Sequence, residues 1–243
     1  MSENESIPNA KTIQAFQYSD LYNLISNNSI LIMLWGDIGI GKSKLALQLS
    51  NSILSSNKKV FYLHTKMTPI SGIMNRIFVN LDKNQKYNFI FWNSHNFKTQ
   101  TDIIFDWLLE IKQLESFFNE KKVGLIVIDE VTGNYLPEML MEKKNEELND
   151  KLNFQLATLT QISKKHKIPI ILTNNFTLKA DEQENLQDSP YGGKITQYWT
   201  EIAIKLERTP QSGRLLFNLT KNRSGLTIPN KWTWRLEEQG FIF

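Results

Sequence analysis

A glycine-rich segment that follows a short apolar stretch limits the fold of this 243-residue chain more than any other feature. Residues 36–43 read Gly-Asp-Ile-Gly-Ile-Gly-Lys-Ser, which is the spacing of a phosphate-binding P-loop. Residues 30–35 before it are entirely apolar, as in a short strand buried on both faces. Apolar residues recur at helical spacing after it, at Leu45, Ala46, Leu49 and Ile53. The sequence therefore predicts a strand, a phosphate-binding loop and a helix in this order.

Phosphate binding explains each residue type in this loop. Gly39 and Gly41 allow the tight turn that points successive backbone N–H groups at phosphates, next to the positive end of the following helix. Lys42 is the predicted catalytic cation at the β- and γ-phosphates, and Ser43 supplies an oxygen for Mg²⁺. The alternative is a chance match in a glycine-containing loop. The residues predicted to bind ATP are Asp37, Ile38, Gly39, Ile40, Gly41, Lys42, Ser43 and Lys44.

Two acidic residues follow the apolar run 123–128. Asp129 ends this predicted strand, where a carboxylate can hold Mg²⁺ through water opposite Ser43; the alternative is an acidic cap of the strand. ATP hydrolysis also needs a group that orients and deprotonates the attacking water, and Glu130 is the nearest candidate in the sequence. A solvent-facing loop residue or a structural ion-pair partner is the alternative for Glu130.

Short apolar runs alternate with helical segments up to residue 173, which indicates a parallel sheet covered on both faces. After residue 195, strands are predicted at 202–206, 215–220 and 232–236, with short turns that make them antiparallel. The predicted fold class is α/β, a mostly parallel sheet flanked by helices with antiparallel C-terminal strands. We expect residues 1–12 to be a flexible tail and residues 13–243 to form a single core domain.

Composition excludes several classes of protein. The absence of cysteine excludes disulfides and thiolate metal sites and favours a cytoplasmic location. Residues 1–12 contain no apolar stretch of a secretory signal, and no apolar run approaches the roughly 20 residues of a membrane span, so we expect no membrane partner. The net charge of +3 does not by itself indicate nucleic-acid binding.

Taken in order, these segments resemble the core ATPase domain of RecA-like recombinases, and specifically archaeal RadA paralogs and the related KaiC-like proteins. The resemblance runs from about residue 13 to the C-terminus and is carried by 35–44, 60–66, 126–132 and 172–175. It implies a RecA-like fold, ATP and Mg²⁺ as cofactors, and a sensor residue at Asn175. It also implies single-stranded DNA, a RecA-family recombinase and self- or hetero-assembly as partners.

The chain departs from the family pattern at several positions. The family has a glutamate at the end of the second strand that polarises the attacking water, and the residue there is Lys66. The sensor glutamine is replaced by Asn175, and residues 1–30 lack a Phe-x-x-Ala polymerisation motif. We therefore expect a paralog with slow hydrolysis and not a filament-forming recombinase.

Two loops bind DNA in the family and correspond to about 133–147 and 175–193. The segment 138–151 has five acids against three bases, and 175–194 has four acids against two, so tight DNA binding by these loops alone is not expected. The basic candidates in these loops are Lys143, Lys144, Lys179 and Lys194, and a solvated loop residue is the favoured interpretation of each.

Positive charge concentrates instead in 205–235, with seven bases against one acid. Lys221 and Arg223 resemble the cations that reach a neighbouring subunit's γ-phosphate in RecA-like ATPases, and a basic surface turn is the alternative. Trp232 and Trp234 could stack on nucleic-acid bases, although packing on the core is the favoured interpretation.

The sequence thus predicts an ATP-binding RadA paralog that modulates recombinational DNA repair, with Mg²⁺-dependent and slow hydrolysis. A KaiC-like regulatory ATPase without a DNA role is one alternative. A nucleotide-stabilised adaptor that docks on a recombinase is another.

Overall fold

A computed structural model describes residues 16–118, 123–141, 145–180 and 186–242, so the expected tail at 1–12 lies outside the described residues. The helices are α1 (Tyr18–Ser26), α2 (Lys42–Ser55), α3 (Ser71–Ile77), α4 (Lys83–Tyr87), α5 (Phe97–Phe118), α6 (Tyr135–Met141), α7 (Asn145–His166) and α8 (Gly193–Trp199). The strands are β1 (Leu31–Gly36), β2 (Lys59–His64), β3 (Phe89–Asn93), β4 (Val123–Asp129), β5 (Ile170–Asn174), β6 (Phe176–Ala180), β7 (Leu186–Pro190), β8 (Ile202–Arg208), β9 (Arg214–Asn222), β10 (Lys231–Glu237) and β11 (Gly240–Ile242).

Among the described residues, nine strands form one sheet in the order β11-β10-β9-β8-β1-β5-β4-β2-β3. Neighbouring strands from β8 to β3 are parallel, whereas β9, β10 and β11 are added antiparallel at the other edge. Within the described ranges, strands β6 and β7 pair with each other alone, as an antiparallel hairpin. The predicted α/β class, with a mostly parallel sheet and antiparallel C-terminal strands, is confirmed.

Helices cover both faces of the sheet, and strand β1 is apolar on both for this reason. Ile32 and Leu34 lie in one apolar cluster with residues of α2, and Leu31 lies in the other with residues of α5 and α7. Every residue of β1 is buried. None of the helices in the described ranges combines the length and apolar character that a membrane span requires.

Side-chain caps set the start of two helices. Helix α4 begins separately from α3 because Asp82 accepts a hydrogen bond from the Gln85 backbone N–H at 2.8 Å. Helix α5 begins at Phe97, where the Asn96 side chain accepts from the Thr99 backbone N–H at 2.7 Å.

The antiparallel strands at the C-terminus are fastened to the core by an aromatic cluster. Trp232 and Trp234 are buried, and both rings contact Phe217 and Phe16. The Trp234 indole N–H also donates to the Phe16 carbonyl at 2.7 Å. Neither tryptophan can present its ring to a nucleic-acid base from this position, so packing on the core is their role.

Candidate nucleotide site

The candidate site lies at the carboxyl edge of the parallel strands, where the loop after β1 meets the ends of β2, β4 and β5. Gly39 and Gly41 have φ values of +76° and +104°, a region in which glycine is favoured. Gly41 immediately precedes α2, so the backbone turns from the loop into the helix at this residue. The loop predicted from glycine spacing therefore has the strand before it and the helix after it that phosphate binding requires.

Lys42 is folded back onto the loop that carries it. Its ammonium donates to the carbonyl of Gly36 at 2.8 Å and to that of Asp37 at 2.6 Å, and the residue is only 4% exposed. Burial, together with the nearby charge of Lys66, lowers the pKa of Lys42 to about 8. A phosphate bound in the loop would replace the two neutral carbonyls as acceptors and give the Lys42 ammonium a negatively charged partner.

Asp129 is the buried centre of the site, with an exposure of 0%. Five side chains contact its carboxylate: Ser43 at 2.9 Å, Tyr62 at 3.0 Å, His64 at 3.3 Å, Lys66 at 2.8 Å and Thr173 at 2.6 Å. Burial alone would raise the pKa of Asp129, but the hydrogen bond from His64 and the charge and hydrogen bond of Lys66 outweigh it and hold the pKa below the ordinary value. Asp129 is therefore a fixed carboxylate.

Of these five contacts the sequence predicted only that with Ser43, and those of Tyr62, His64, Lys66 and Thr173 were missed. Strand period and register could have indicated Tyr62 and Thr173. Tyr62 lies two residues before His64, on the same face of β2. Thr173 follows Leu172, which pairs with Ile128 just before Asp129.

Lys66 lies between the P-loop and Asp129. Its ammonium donates to Ser43 Oγ and to Asp129 Oδ1, at 2.8 Å each, and lies 4.0 Å from Glu130 Oε2. A hydroxyl and a carboxylate are oxygen donors of the kind that Mg²⁺ takes. Both oxygens here already accept from Lys66, so the pair suits a magnesium ion in its chemistry but fits one only after the ammonium has moved.

Glu130 is not a solvent-facing loop residue, since it is only 4% exposed. The Asn175 amide nitrogen lies 2.7 Å from each of its carboxylate oxygens, and Thr65 accepts a hydrogen bond from its backbone N–H at 2.8 Å. Burial raises the pKa of Glu130, while the charges of Lys66 and Lys42 oppose that shift. The structure thus brings together the candidate base and the candidate sensor.

A cavity of about 530 Å³ opens over these groups. Of the predicted ATP-binding residues, its lining includes Ile38, Gly39, Gly41, Lys42, Ser43 and Lys44. Asp37 and Ile40 do not line it; Ile40 is buried, and Asp37 contributes its carbonyl to Lys42. Asn175, Lys66 and Glu130 line it on the side of the strand ends.

Comparison with known proteins agrees with this geometry. The Rad51 family profile matches residues 14–221. This chain belongs to the Rad51 family. Three curated relatives carry the description "DNA repair and recombination protein RadB". That of Methanobrevibacter smithii is 25% identical over 215 residues and covers 86% of each chain. That of Methanococcus maripaludis strain C7 is 26% identical, over 84% of this chain and 87% of the relative, and that of Methanocaldococcus jannaschii is 28% identical, over 75% and 80%. The resemblance to archaeal RadA paralogs is thereby confirmed.

Lys221 and Arg223 of this Rad51-family chain lie away from its own candidate nucleotide cavity. They line a second cavity of about 760 Å³, together with Met33 and Trp35. Those two β1 side chains alternate with Ile32 and Leu34, which pack toward α2, so the second cavity lies on the opposite face of the sheet. The Lys221 ammonium donates to the Gln197 and Thr200 carbonyls at the end of α8, whereas Arg223 is exposed.

The two segments expected as DNA-binding loops are partly regular structure. The first contains α6 and the start of α7, and Lys143 and Lys144 lie outside the described residues. The second contains the β6–β7 hairpin, with Lys179 on β6. Lys194 lines the second cavity.

Proposed function

We propose that this Rad51-family chain is an ATP-binding RadA paralog that modulates homologous recombination and DNA repair and hydrolyses ATP slowly. The observation that carries the proposal is the 2.9 Å contact between the P-loop hydroxyl of Ser43 and the strand-end carboxylate of Asp129. The two halves of a nucleotide site come from residues 86 positions apart. The relatives described as RadB support the assignment to recombination and repair.

Nucleotide binding is tested by titrating ADP and ATP into the full chain and into Lys42→Ala. The alanine variant loses the cation that the loop directs toward phosphate, so we expect affinity to fall by about tenfold or more. Lys164→Met is the matched control, because Lys164 pairs with Glu201 and the Ser29 carbonyl at the opposite edge of the sheet. Equal affinity of Lys42→Ala and the unaltered chain would refute the proposed site.

Slow hydrolysis follows from how Glu130 is held. Both of its oxygens accept from Asn175, so an attacking water has to share a carboxylate that is already engaged. A magnesium ion bound at Ser43 and Asp129 would neutralise phosphate charge. Glu130→Gln keeps the shape and removes the base, and we expect turnover to fall by about a hundredfold. Unchanged turnover would exclude Glu130 as the base.

Assembly is part of the proposal because of where Arg223 lies. On the face opposite α2 it is remote from its own P-loop, so a role at a γ-phosphate requires the nucleotide of another subunit. The other subunit can be a second copy or a RecA-family recombinase.

We also propose a cytoplasmic location and a single core domain over 13–243. Limited proteolysis would test the domain, because a single domain should leave a resistant fragment of that length.

A DNA role is tested by titrating single-stranded DNA at several salt concentrations. Contacts to phosphates predict binding that weakens steeply as salt increases. No binding at low salt, with or without a recombinase, would favour the KaiC-like regulatory alternative. The second candidate function, a nucleotide-stabilised adaptor, is favoured by Lys66, since a lysine at this position cannot act as a carboxylate base. Glu130→Gln separates an ATPase from an adaptor, because an adaptor would keep its function when turnover is lost.

A further inference from the structure

The ammonium of Lys66 lies at the centre of the site, on the wall of the cavity. It donates to two groups that come from different elements, Ser43 at the start of α2 and Asp129 at the end of β4. The Lys66 side chain is 24% exposed, and that of Asp129 is 0% exposed. The open side of Lys66 faces the same cavity as Gly39, Gly41 and Lys42. A positive charge is therefore fixed where the P-loop and the strand-end carboxylate meet.

A divalent cation would use the same two oxygens. Mg²⁺ binds oxygen ligands at about 2.0–2.1 Å and requires nearly octahedral geometry, so it would lie against an ammonium that is hydrogen-bonded to both ligands. Two cations at one buried carboxylate repel each other strongly, because the interior screens charge poorly. Lys66 and a magnesium ion therefore compete for Ser43 and Asp129.

Lys66 also performs the electrostatic task that a metal would otherwise perform there. Asp129 is a fixed carboxylate beside the phosphate loop, and its charge would repel a bound phosphate if nothing compensated it. The Lys66 ammonium compensates it at 2.8 Å, and Lys42, which lines the same cavity, adds a second cation. Phosphate groups entering the loop therefore meet a site in which the acid is already neutralised.

We propose that Lys66 is a built-in cation that replaces the divalent metal in nucleotide binding, so that ADP and ATP bind with an affinity that hardly depends on Mg²⁺. The inference rests on the proposed nucleotide-binding function and deepens it. It concerns binding and not turnover, and it makes Lys66 a competitor of the metal at Ser43 and Asp129.

The test is a calorimetric titration of ADP into the full chain, once with Mg²⁺ and once with EDTA. ADP is used because its binding is measured without hydrolysis. We expect the dissociation constants of the unaltered chain to differ by less than about threefold between the two conditions. In Lys66→Met, which keeps the length and removes the charge, we expect ADP affinity in EDTA to fall by about tenfold or more and to recover with Mg²⁺. A loss of about tenfold or more in the unaltered chain on adding EDTA overturns the proposal.

Two controls keep the result clear. Lys66→Arg retains the charge and should retain binding in EDTA, and Lys164→Met removes a surface lysine and should behave as the unaltered chain in both buffers. Thermal unfolding shows whether Lys66→Met is folded, and the unaltered chain decides the matter if it is not. A Lys66→Met variant whose binding remains independent of Mg²⁺ also overturns the proposal. Failure to bind ADP in either buffer refutes the nucleotide site itself, whereas binding only with Mg²⁺ refutes the role of Lys66 alone.

Discussion

Asn175→Ala is predicted to destabilise the protein in a way that depends on pH, because Asn175 supports a buried carboxylate. The amide nitrogen of Asn175 lies 2.7 Å from both oxygens of Glu130, and Glu130 is 4% exposed. A hydrogen bond to a charged group contributes about 1.5–3 kcal/mol to stability. Both contacts come from one amide group, and half-buried Asn175 leaves room for water to enter, so we expect a loss of about 2 kcal/mol at pH 7.

The sign of the pH dependence follows from the two forms of Glu130. Hydrogen bonds from Asn175 favour the charged form, while burial raises the pKa above the ordinary value of 4.5. In Asn175→Ala the pKa of Glu130 rises further, because the charged carboxylate has lost its amide partner. At neutral pH the variant still holds Glu130 in its charged form and is therefore less stable. Once pH falls through the folded-state pKa, Glu130 is protonated in both proteins, and the difference in unfolding free energy shrinks.

The assay is urea unfolding followed by circular dichroism at several pH values between about 7 and 4.5. For a chain of this length, a loss of about 2 kcal/mol lowers the melting temperature by about 4–8 °C. Asn149→Ala is the matched control: Asn149 is also half-buried, but it accepts from the neutral hydroxyl of Tyr135 at 2.6 Å. We expect a smaller loss there, about 1 kcal/mol or less, with no pH dependence. A loss in Asn175→Ala that is equally large at both ends of the pH range would refute the reasoning.

Three further outcomes are expected. Gly36→Ala should lower the free energy of unfolding by about 2 kcal/mol or more, measured by thermal unfolding, because φ is +143° and an added Cβ would lie 2.4 Å from the Leu206 carbonyl oxygen. By comparison, Gly39→Ala should lower it by about 1 kcal/mol, because φ is +76° but an added Cβ would meet open space. Trp232→Ala should cost about 3–5 kcal/mol, since the ring is 1% exposed in the aromatic cluster, and a loss below 1 kcal/mol would contradict that packing. Arg223→Ala should slow hydrolysis by about a hundredfold or more in assembled protein while nucleotide affinity is kept; unchanged hydrolysis there would exclude the trans finger.

The parallel part of the fold could be predicted because its signals are local. Each strand buried on both faces is a short apolar run, and the loop at 36–43 has a spacing that few other structures require. The hairpin β6–β7 was not predicted, since its strands are five residues each and carry no long apolar pattern. The break between α3 and α4 also depends on a cap at Asp82 and not on periodicity.

The contacts within the site could be predicted less well, because they depend on register between strands far apart in the chain. Sequence reasoning identified the missing glutamate at Lys66 but not where the ammonium would lie. That position follows from the pairing of His64 with Asp129, which brings the end of β2 beside the end of β4. Tyr62 reaches Asp129 from the same pair of strands, and Thr173 reaches it through the pairing of β5 with β4. A motif indicates which residues form the site, whereas the contacts between them depend on how the strands pair in the sheet.

The replacement at Lys66 changes what a bound nucleotide does to this site. Where a carboxylate ends β2, the metal has to neutralise two acids and the phosphates, so its loss leaves repulsion that favours release of the nucleotide. Here the ammonium is part of the chain and stays in the site when the solvent contains no metal. In the proposed ATPase the attacking water would have to be activated by Glu130, which is already engaged by Asn175. The roles proposed for Lys66 and Glu130 together strengthen nucleotide binding and slow hydrolysis, and this combination suits a protein whose nucleotide holds a conformation or a partner in place more than one that cycles rapidly.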